Sequence, residues 1–148
     1  MRDNTPMRIE IREQAFDPFE ELVAHQQSLG AYGATCVFVG TMRDINESAT
    51  VDHMLLEHYP GMTEKHLEDI CARAARQWNI VDALVIHRVG DLYPSDPIVL
   101  VATWSAHRKD AYEANRFIME DLKSRAPFWK KESLDEGERW VERNTPGY

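Results

Sequence analysis

Between Ser105 and Glu132 the chain reads SAHRKDAYEANRFIMEDLKSRAPFWKKE, a stretch that gathers side chains able to handle an anion. His107 and Arg108 stand at one end. Lys123, Arg125, Lys130 and Lys131 stand at the other, with no acid among them until Glu132. Phe128 and Trp129 lie inside that basic group. Cations beside aromatic faces suit a planar, negatively charged ligand. The same residues also fit a plainer description, a helix C-terminus with dipole-matched lysines and a Pro-Phe-Trp plug in the core. From the residues alone both descriptions stand.

A helix must connect the two ends. Ser105 can cap it by accepting a free first-turn N–H, and Asp110 adds negative charge near the positive end. Ala111, Ala114, Ile118 and Leu122 recur at helical spacing and form one apolar face. Pro127 stops the helix or follows its stop. His107 and Arg108 then fall in the first turn, where unpaired backbone N–H groups favour an anion. His107 and Lys123 are 16 positions apart, about 24 Å along a helix. One small ligand does not span that distance. If both ends serve one site, they come from different copies of the chain, as in a two-fold dimer.

Several longer blocks are recognisable. They are FVGTMRD (38–44), LEHYPGMTEKHLEDI (56–70), IHRVGDLYPSD (86–96), SAHR (105–108), RAPFWKKE (125–132) and GERWVE (137–142). In type and order they resemble the catalytic (large) subunit family of molybdopterin synthase, over nearly the whole chain from about Gly33 to Glu142. The resemblance implies an α/β-hammerhead fold and a sulfurtransferase. In that family cyclic pyranopterin monophosphate receives two sulfurs and becomes the dithiolene of molybdopterin, a step of molybdenum cofactor biosynthesis. The sulfur arrives as a thiocarboxylate on the C-terminal glycine of a small ubiquitin-like partner. The resemblance also implies a homodimer, joined by two small subunits into a heterotetramer, and no cofactor of its own.

Carried onto this chain, the resemblance makes Lys123 the first choice for the catalytic residue, orienting the thiocarboxylate and moving a proton. Lys130 stabilises developing charge or assists opening of the cyclic phosphate. A lysine among Arg125, Lys130 and Lys131 is expected to have its pKa lowered by like charge. Arg43, His107 and Arg108 suit the phosphate and pterin, and Lys131 and Glu132 match the family's substrate-contacting segment. Phe128 and Trp129 either flank the pterin or belong to the core. Arg43 read without the family is a strand-end surface arginine.

Composition narrows the alternatives. A chain of 148 residues is expected to form one domain, with a core that needs no disulfide or metal. Its 43% hydrophobic and 28% charged residues are ordinary for a globular protein. A net charge of −8 disfavours general nucleic-acid binding, which relies on broad basic surface. No apolar run reaches membrane-spanning length, and MRDNTPMR lacks a secretory h-region, so the cytoplasm is the expected compartment. Cys36 and Cys71 make no disulfide framework and read as small buried hydrophobes. His53, His58 and His66 lack the spacing of a zinc site, and His58 reads as a structural partner beside Tyr59. Two other classes are compatible with the basic group, a non-catalytic module gripping a partner's carboxylate tail and a small nucleotide-binding regulatory domain. Neither has a motif of its own, and no phosphate-cradling Gly-rich loop is present.

In order, residues 1–6 form a loose end and 7–12 a half-buried strand. A helix starts at Asp17-Pro18 with Phe19, Leu22, Val23 and Gln26 on one face and Gly30 as its stop. Residues 34–40 read as a buried strand and 44–49 as an irregular loop. A strand over 51–59 and a turn at Pro60-Gly61 lead into a helix over 62–78 with the stripe Leu67, Ile70, Cys71, Ala74 and Trp78. Strands over 81–89 and 98–104 form a hairpin across a turn at 91–96. After the helix from Ser105, a hairpin runs through Lys130 and returns through Trp140, and 144–148 form a tail. The pattern β-α-β-β-α-β-β-α-β-β predicts an α+β domain with a largely antiparallel sheet and three helices.

Overall fold

The computed structural model describes residues 7–46, 49–134 and 137–140. The elements are β1 (Arg8–Arg12), α1 (Pro18–Gln26), β2 (Ala34–Thr41), β3 (Ile45–Asn46), β4 (Ala49–His58), α2 (Met62–Gln77), β5 (Ile80–Arg88), β6 (Gly90–Leu92), β7 (Pro97–Ser105), α3 (Arg108–Ser124), β8 (Phe128–Leu134) and β9 (Gly137–Trp140). One sheet has the order β1-β5-β7-β2. The other has the order β3-β4-β8-β9, with β6 also paired to β4. Only the β1–β5 pairing is parallel among the described strands; the rest are antiparallel. The architecture is α+β with three helices, as the pattern predicts. The predicted tails at 1–6 and 144–148 lie outside the described residues.

Strands β5 and β7 are apolar without alternation because both faces of their sheet are covered. On one face lie Ala83, Val85, Val99 and Val101, against the α2 stripe Leu67, Ile70, Cys71 and Ala74 and the α3 stripe Ala114, Ile118 and Leu122. On the other lie Leu84, Ile86, Leu100, Ala102 and Trp104, against Phe16, Leu22 and Leu29. Each fully buried leucine or isoleucine contributes about 2 kcal/mol. Asn115 fastens α3 across the sheet, its amide donating to the carbonyls of Val101 and Cys36 at 2.9 and 3.1 Å.

Five expectations change. First, among the described residues β2 is an edge strand hydrogen-bonded only to β7; Val37 and Phe38 are 37% and 39% exposed, so its apolar run is not a buried strand. Second, α1 leaves Phe19 and Val23 exposed. It docks instead through Leu22 and through His25, whose Nε2 lies 2.7 Å from the buried Asp82 carboxylate. A buried polar pair displaced the apolar face that spacing alone would choose. Third, α1 ends at Gln26 with Gln27 as its C-cap, four residues before Gly30. Fourth, Ser105 does not cap α3. It completes β7, and its hydroxyl donates to the Asn79 carbonyl at 2.8 Å, so His107 takes the cap position without a side-chain cap. Fifth, two short strands appear where loop and turn were expected, because β3 and β6 both find hydrogen-bond partners along β4. At Gly33 a Cβ would collide with the Ala106 carbonyl, so glycine alone lets the chain enter β2 beside the end of β7.

Candidate functional site

The blocks around LEHYPGMTEK and RAPFWKKE meet in space. Tyr59 and Gly61 form the turn into α2, where Gly61 holds a φ of 87° and its N–H donates to Glu64 at 2.7 Å. Thr63, fully buried, accepts from the Tyr59 N–H at 3.1 Å and donates to the Pro127 carbonyl at 3.2 Å. Tyr59 and Trp129 meet edge to face at 4.4 Å. This junction fixes where β8 starts, and therefore which of its side chains face inward.

Pairing with β4 then decides the roles. Lys130 lies opposite Leu56 and Glu132 opposite Met54, both buried, whereas Lys131 lies opposite Leu55 on the other side of the strand. Side chains alternate along a strand, so Phe128, Lys130 and Glu132 share the inner face while Trp129 and Lys131 share the outer one. Lys131 pairs there with Glu138 at 3.0 Å. Lys131 and Glu132, adjacent in sequence, therefore cannot serve one pocket together.

Lys123 comes to the same inner region from the last turn of α3, and Arg43 comes from the exit of β2. Each is an electrostatic neighbour of Lys130. Burial lowers the Lys123 pKa, and the charge of Arg43 lowers it further. Burial also lowers Lys130, to about 8; Lys123 and Arg43 push the same way, against the opposing pull of Glu132. The direction matches the expectation, but the cause differs. Desolvation leads, and the like charge comes from Arg43 and the other lysine rather than from Arg125 or Lys131. Arg125 caps α3 and lines a cavity of about 440 Å³ between α2 and α3, with Arg73, Trp78 and Phe117 among its walls. The basic cluster of the sequence thus divides among three places.

His107 and Arg108 are exposed at the opposite end of α3. Within one chain the structure does not bring them to the lysines. Sequence reasoning also missed one residue that the fold does bring in. His87, buried on β5, stacks on Phe128 with ring centroids 4.0 Å apart and planes 15° from parallel. Its Nδ1–H donates to the Arg88 carbonyl at 2.8 Å. Burial lowers its pKa to about 3, the Arg88 hydrogen bond opposes this, and Lys123, Lys130 and His58 lower it again. Its ring is therefore neutral at physiological pH. The IHR block contains it, but nothing in the spacing sets it beside residues 36 and 43 positions later.

The remaining candidates lie elsewhere. His53 pairs with Asp91 at 2.7 Å and His66 with Asp121, on separate elements. Cys71 is buried and its thiol pKa is pushed up to about 12 by burial, helped by Asp121 and Asp82. Cys36 is half-buried rather than buried, and burial raises its pKa too. Among the described residues no helix is long and apolar enough to cross a membrane.

Comparison with known proteins gives a consistent picture. The model of the family described as MoaE protein matches residues 11–125. A protein of Ralstonia nicotianae named molybdopterin synthase catalytic subunit is 52% identical over 134 residues, which span 90% of this chain and 76% of that relative. The X-ray crystal structure of molybdopterin synthase from Staphylococcus aureus superposes with a TM-score of 0.81 at 31% identity, covering 91% of this chain and 97% of that one. A protein–protein complex of subunits 1 and 2 of the molybdopterin-converting factor from Helicobacter pylori contains a chain similar to this one, with a TM-score of 0.74, 25% identity and coverage of 93% and 92%.

Proposed function

This chain belongs to the MoaE protein family, and we propose that it is the catalytic subunit of a molybdopterin synthase, moving two sulfurs from thiocarboxylate tails of a small ubiquitin-like partner onto cyclic pyranopterin monophosphate. The observation that carries this reading is the convergence of Lys123, Lys130 and Arg43, from three separated segments, on one half-buried cationic region beside β8. A phosphate and a thiocarboxylate are both anions and both gain from such a region. Each transfer leaves a carboxylate where a thiocarboxylate stood, with water supplying the oxygen, so two tails are consumed per product.

Lys123 orients the thiocarboxylate and passes a proton; a lysine with a lowered pKa exchanges protons more readily near neutrality. Lys130 stabilises negative charge as it develops and assists opening of the cyclic phosphate. Arg43 holds the phosphate. Glu132 lies buried beside Lys130 and tempers the cationic field there. Lys131, on the outer face, is assigned no contact with the substrate. The chain's own thiols are poor sulfur carriers, since burial holds both in the thiol form, which agrees with delivery of sulfur by a partner.

His107 and Arg108 reach a site only as part of a two-fold dimer, in which this end of α3 completes the neighbouring copy's lysine site. The half-exposed Val37 and Phe38 on the open edge of β2 supply apolar surface for such self-association. Two small subunits on the dimer make a heterotetramer, and the reaction is placed in the cytoplasm.

The test is a sulfur-transfer assay with the purified chain, a thiocarboxylated small subunit and the cyclic precursor, with Lys123→Ala run in parallel. Dithiolene product is expected from the wild type and is lost from the variant by about 10²-fold or more. Product from neither, with both proteins folded and bound to each other, would replace this reading with that of a non-catalytic binding module.

A further inference from the structure

The cationic region has an imbalance. Lysine and arginine side chains donate hydrogen bonds and cannot accept them. Lys123, Lys130 and Arg43 therefore serve the phosphate and the thiocarboxylate but offer nothing to the amino and ring N–H groups along the edge of a pterin, and the Glu132 carboxylate on that face is buried and engaged by the charge of Lys130. A ring held only by its phosphate would be free to turn about that anchor, so its orientation needs an acceptor. His87 meets that requirement. Its Nδ1–H is committed to the Arg88 carbonyl, which fixes the tautomer and leaves Nε2 as a lone-pair acceptor on the edge of the ring away from its own backbone. Within the described residues Nε2 has no hydrogen-bond partner. The residue is buried but keeps 8% of its surface exposed. Stacking on Phe128 holds the ring in place, and Phe128 shares the inner face of β8 with Lys130.

We propose that His87 is a substrate-binding residue whose Nε2 accepts a hydrogen bond from a pterin N–H, selecting the ring while the lysines and Arg43 take the phosphate. The surroundings keep this acceptor in being. Lys123 on α3, Lys130 on β8 and His58 on β4 all disfavour a proton on the imidazole, and burial does so more strongly. An imidazole that gained a proton here would become one more donor among cations.

This inference rests on the reading of the substrate as a phosphorylated pterin, and the test separates the two. Binding of the cyclic precursor and of inorganic phosphate is measured on the purified chain by calorimetry for wild type, His87→Phe, His87→Asn and His87→Gln. Phenylalanine keeps the stack and removes both nitrogens. Asparagine keeps a donor near the Nδ1 position and removes the Nε2 acceptor. Glutamine can place an amide oxygen near Nε2. Losing one neutral hydrogen bond is expected to weaken precursor binding about 10-fold in the Phe and Asn variants and less in the Gln variant, with phosphate affinity unchanged in all three. Precursor affinity within about twofold of wild type in the Phe and Asn variants would overturn the assignment, as would an equal loss for phosphate. If the Phe variant does not fold, the Asn variant decides. Failure of the wild type itself to bind the precursor would instead overturn the functional reading.

Discussion

The two ends of α3 are built from similar residues and have opposite surroundings. At the C-terminal end Lys123 is half-buried, with Arg43 and Lys130 as electrostatic neighbours, and burial lowers its pKa. At the N-terminal end His107 and Arg108 stand exposed, on a helix start that no side chain caps. Both ends carry cations suited to an anion, yet only one is enclosed by its own chain. Enclosure makes the difference chemical as well as geometric: desolvation changes what a lysine does with its proton, whereas an exposed arginine remains a binding charge. On the proposed function, the buried end is the place of reaction and the open end a contribution to a site completed by another copy.

That contrast can be broken by complementation, where the largest effect is expected. A His107→Ala/Arg108→Ala double variant is expected to lose activity by about 10-fold or more, and Lys123→Ala by about 10²-fold or more. Mixed and allowed to exchange subunits, they should recover about a quarter of wild-type turnover, because half the dimers are mixed and each mixed dimer retains one intact site. No recovery, with exchange demonstrated by differently tagged subunits, would separate the two ends.

Next comes the pH dependence of the buried end. The charged form of Lys130 is the one that stabilises developing anions, and this form is lost as pH rises through about 8. The value of kcat/KM, which reports the free enzyme, is therefore expected to fall above about pH 8. Lys130→Arg, charged to above about pH 12, should carry whatever activity it retains to higher pH. An unchanged alkaline limb in the Arg variant would remove Lys130 from this role.

Two smaller effects sharpen the comparison. Lys131→Ala removes a solvent-facing pair with Glu138 and is expected to change kcat/KM by less than about twofold. A large loss would mean that the outer face of β8 also meets substrate or partner. Cys36→Ser should leave turnover within about twofold, since a half-buried thiol with a raised pKa is no sulfur carrier. Loss of single-turnover transfer in that folded variant would bring the chain's own sulfur into the reaction.

Much of the fold was legible because its pattern is local. The α2 stripe of Leu67, Ile70, Cys71 and Ala74 and the α3 stripe of Ala111, Ala114, Ile118 and Leu122 bury as their 3.6-residue spacing requires. Asp17 caps α1 and accepts from the Phe19 N–H at 2.9 Å, as an Asp-Pro start implies. Misreadings fell where a nonlocal partner outweighed a local preference. Ser105 gave up a cap to bond Asn79, α1 turned to put His25 on Asp82, and β2 became an edge although its residues suit a sheet interior.

The sequence by itself determined the family and the α+β class and put Lys123 and Lys130 forward as candidates, because residue type and spacing along one chain carry that information. Tertiary structure alone decided which cations lie together. Lys130 and Lys131 are neighbours in sequence and lie on opposite faces of a strand, whereas Lys130, Arg43 and His87 are far apart in sequence and meet. The register of β8 against β4 and the Thr63–Pro127 contact set that outcome, and both depend on pairings between distant segments.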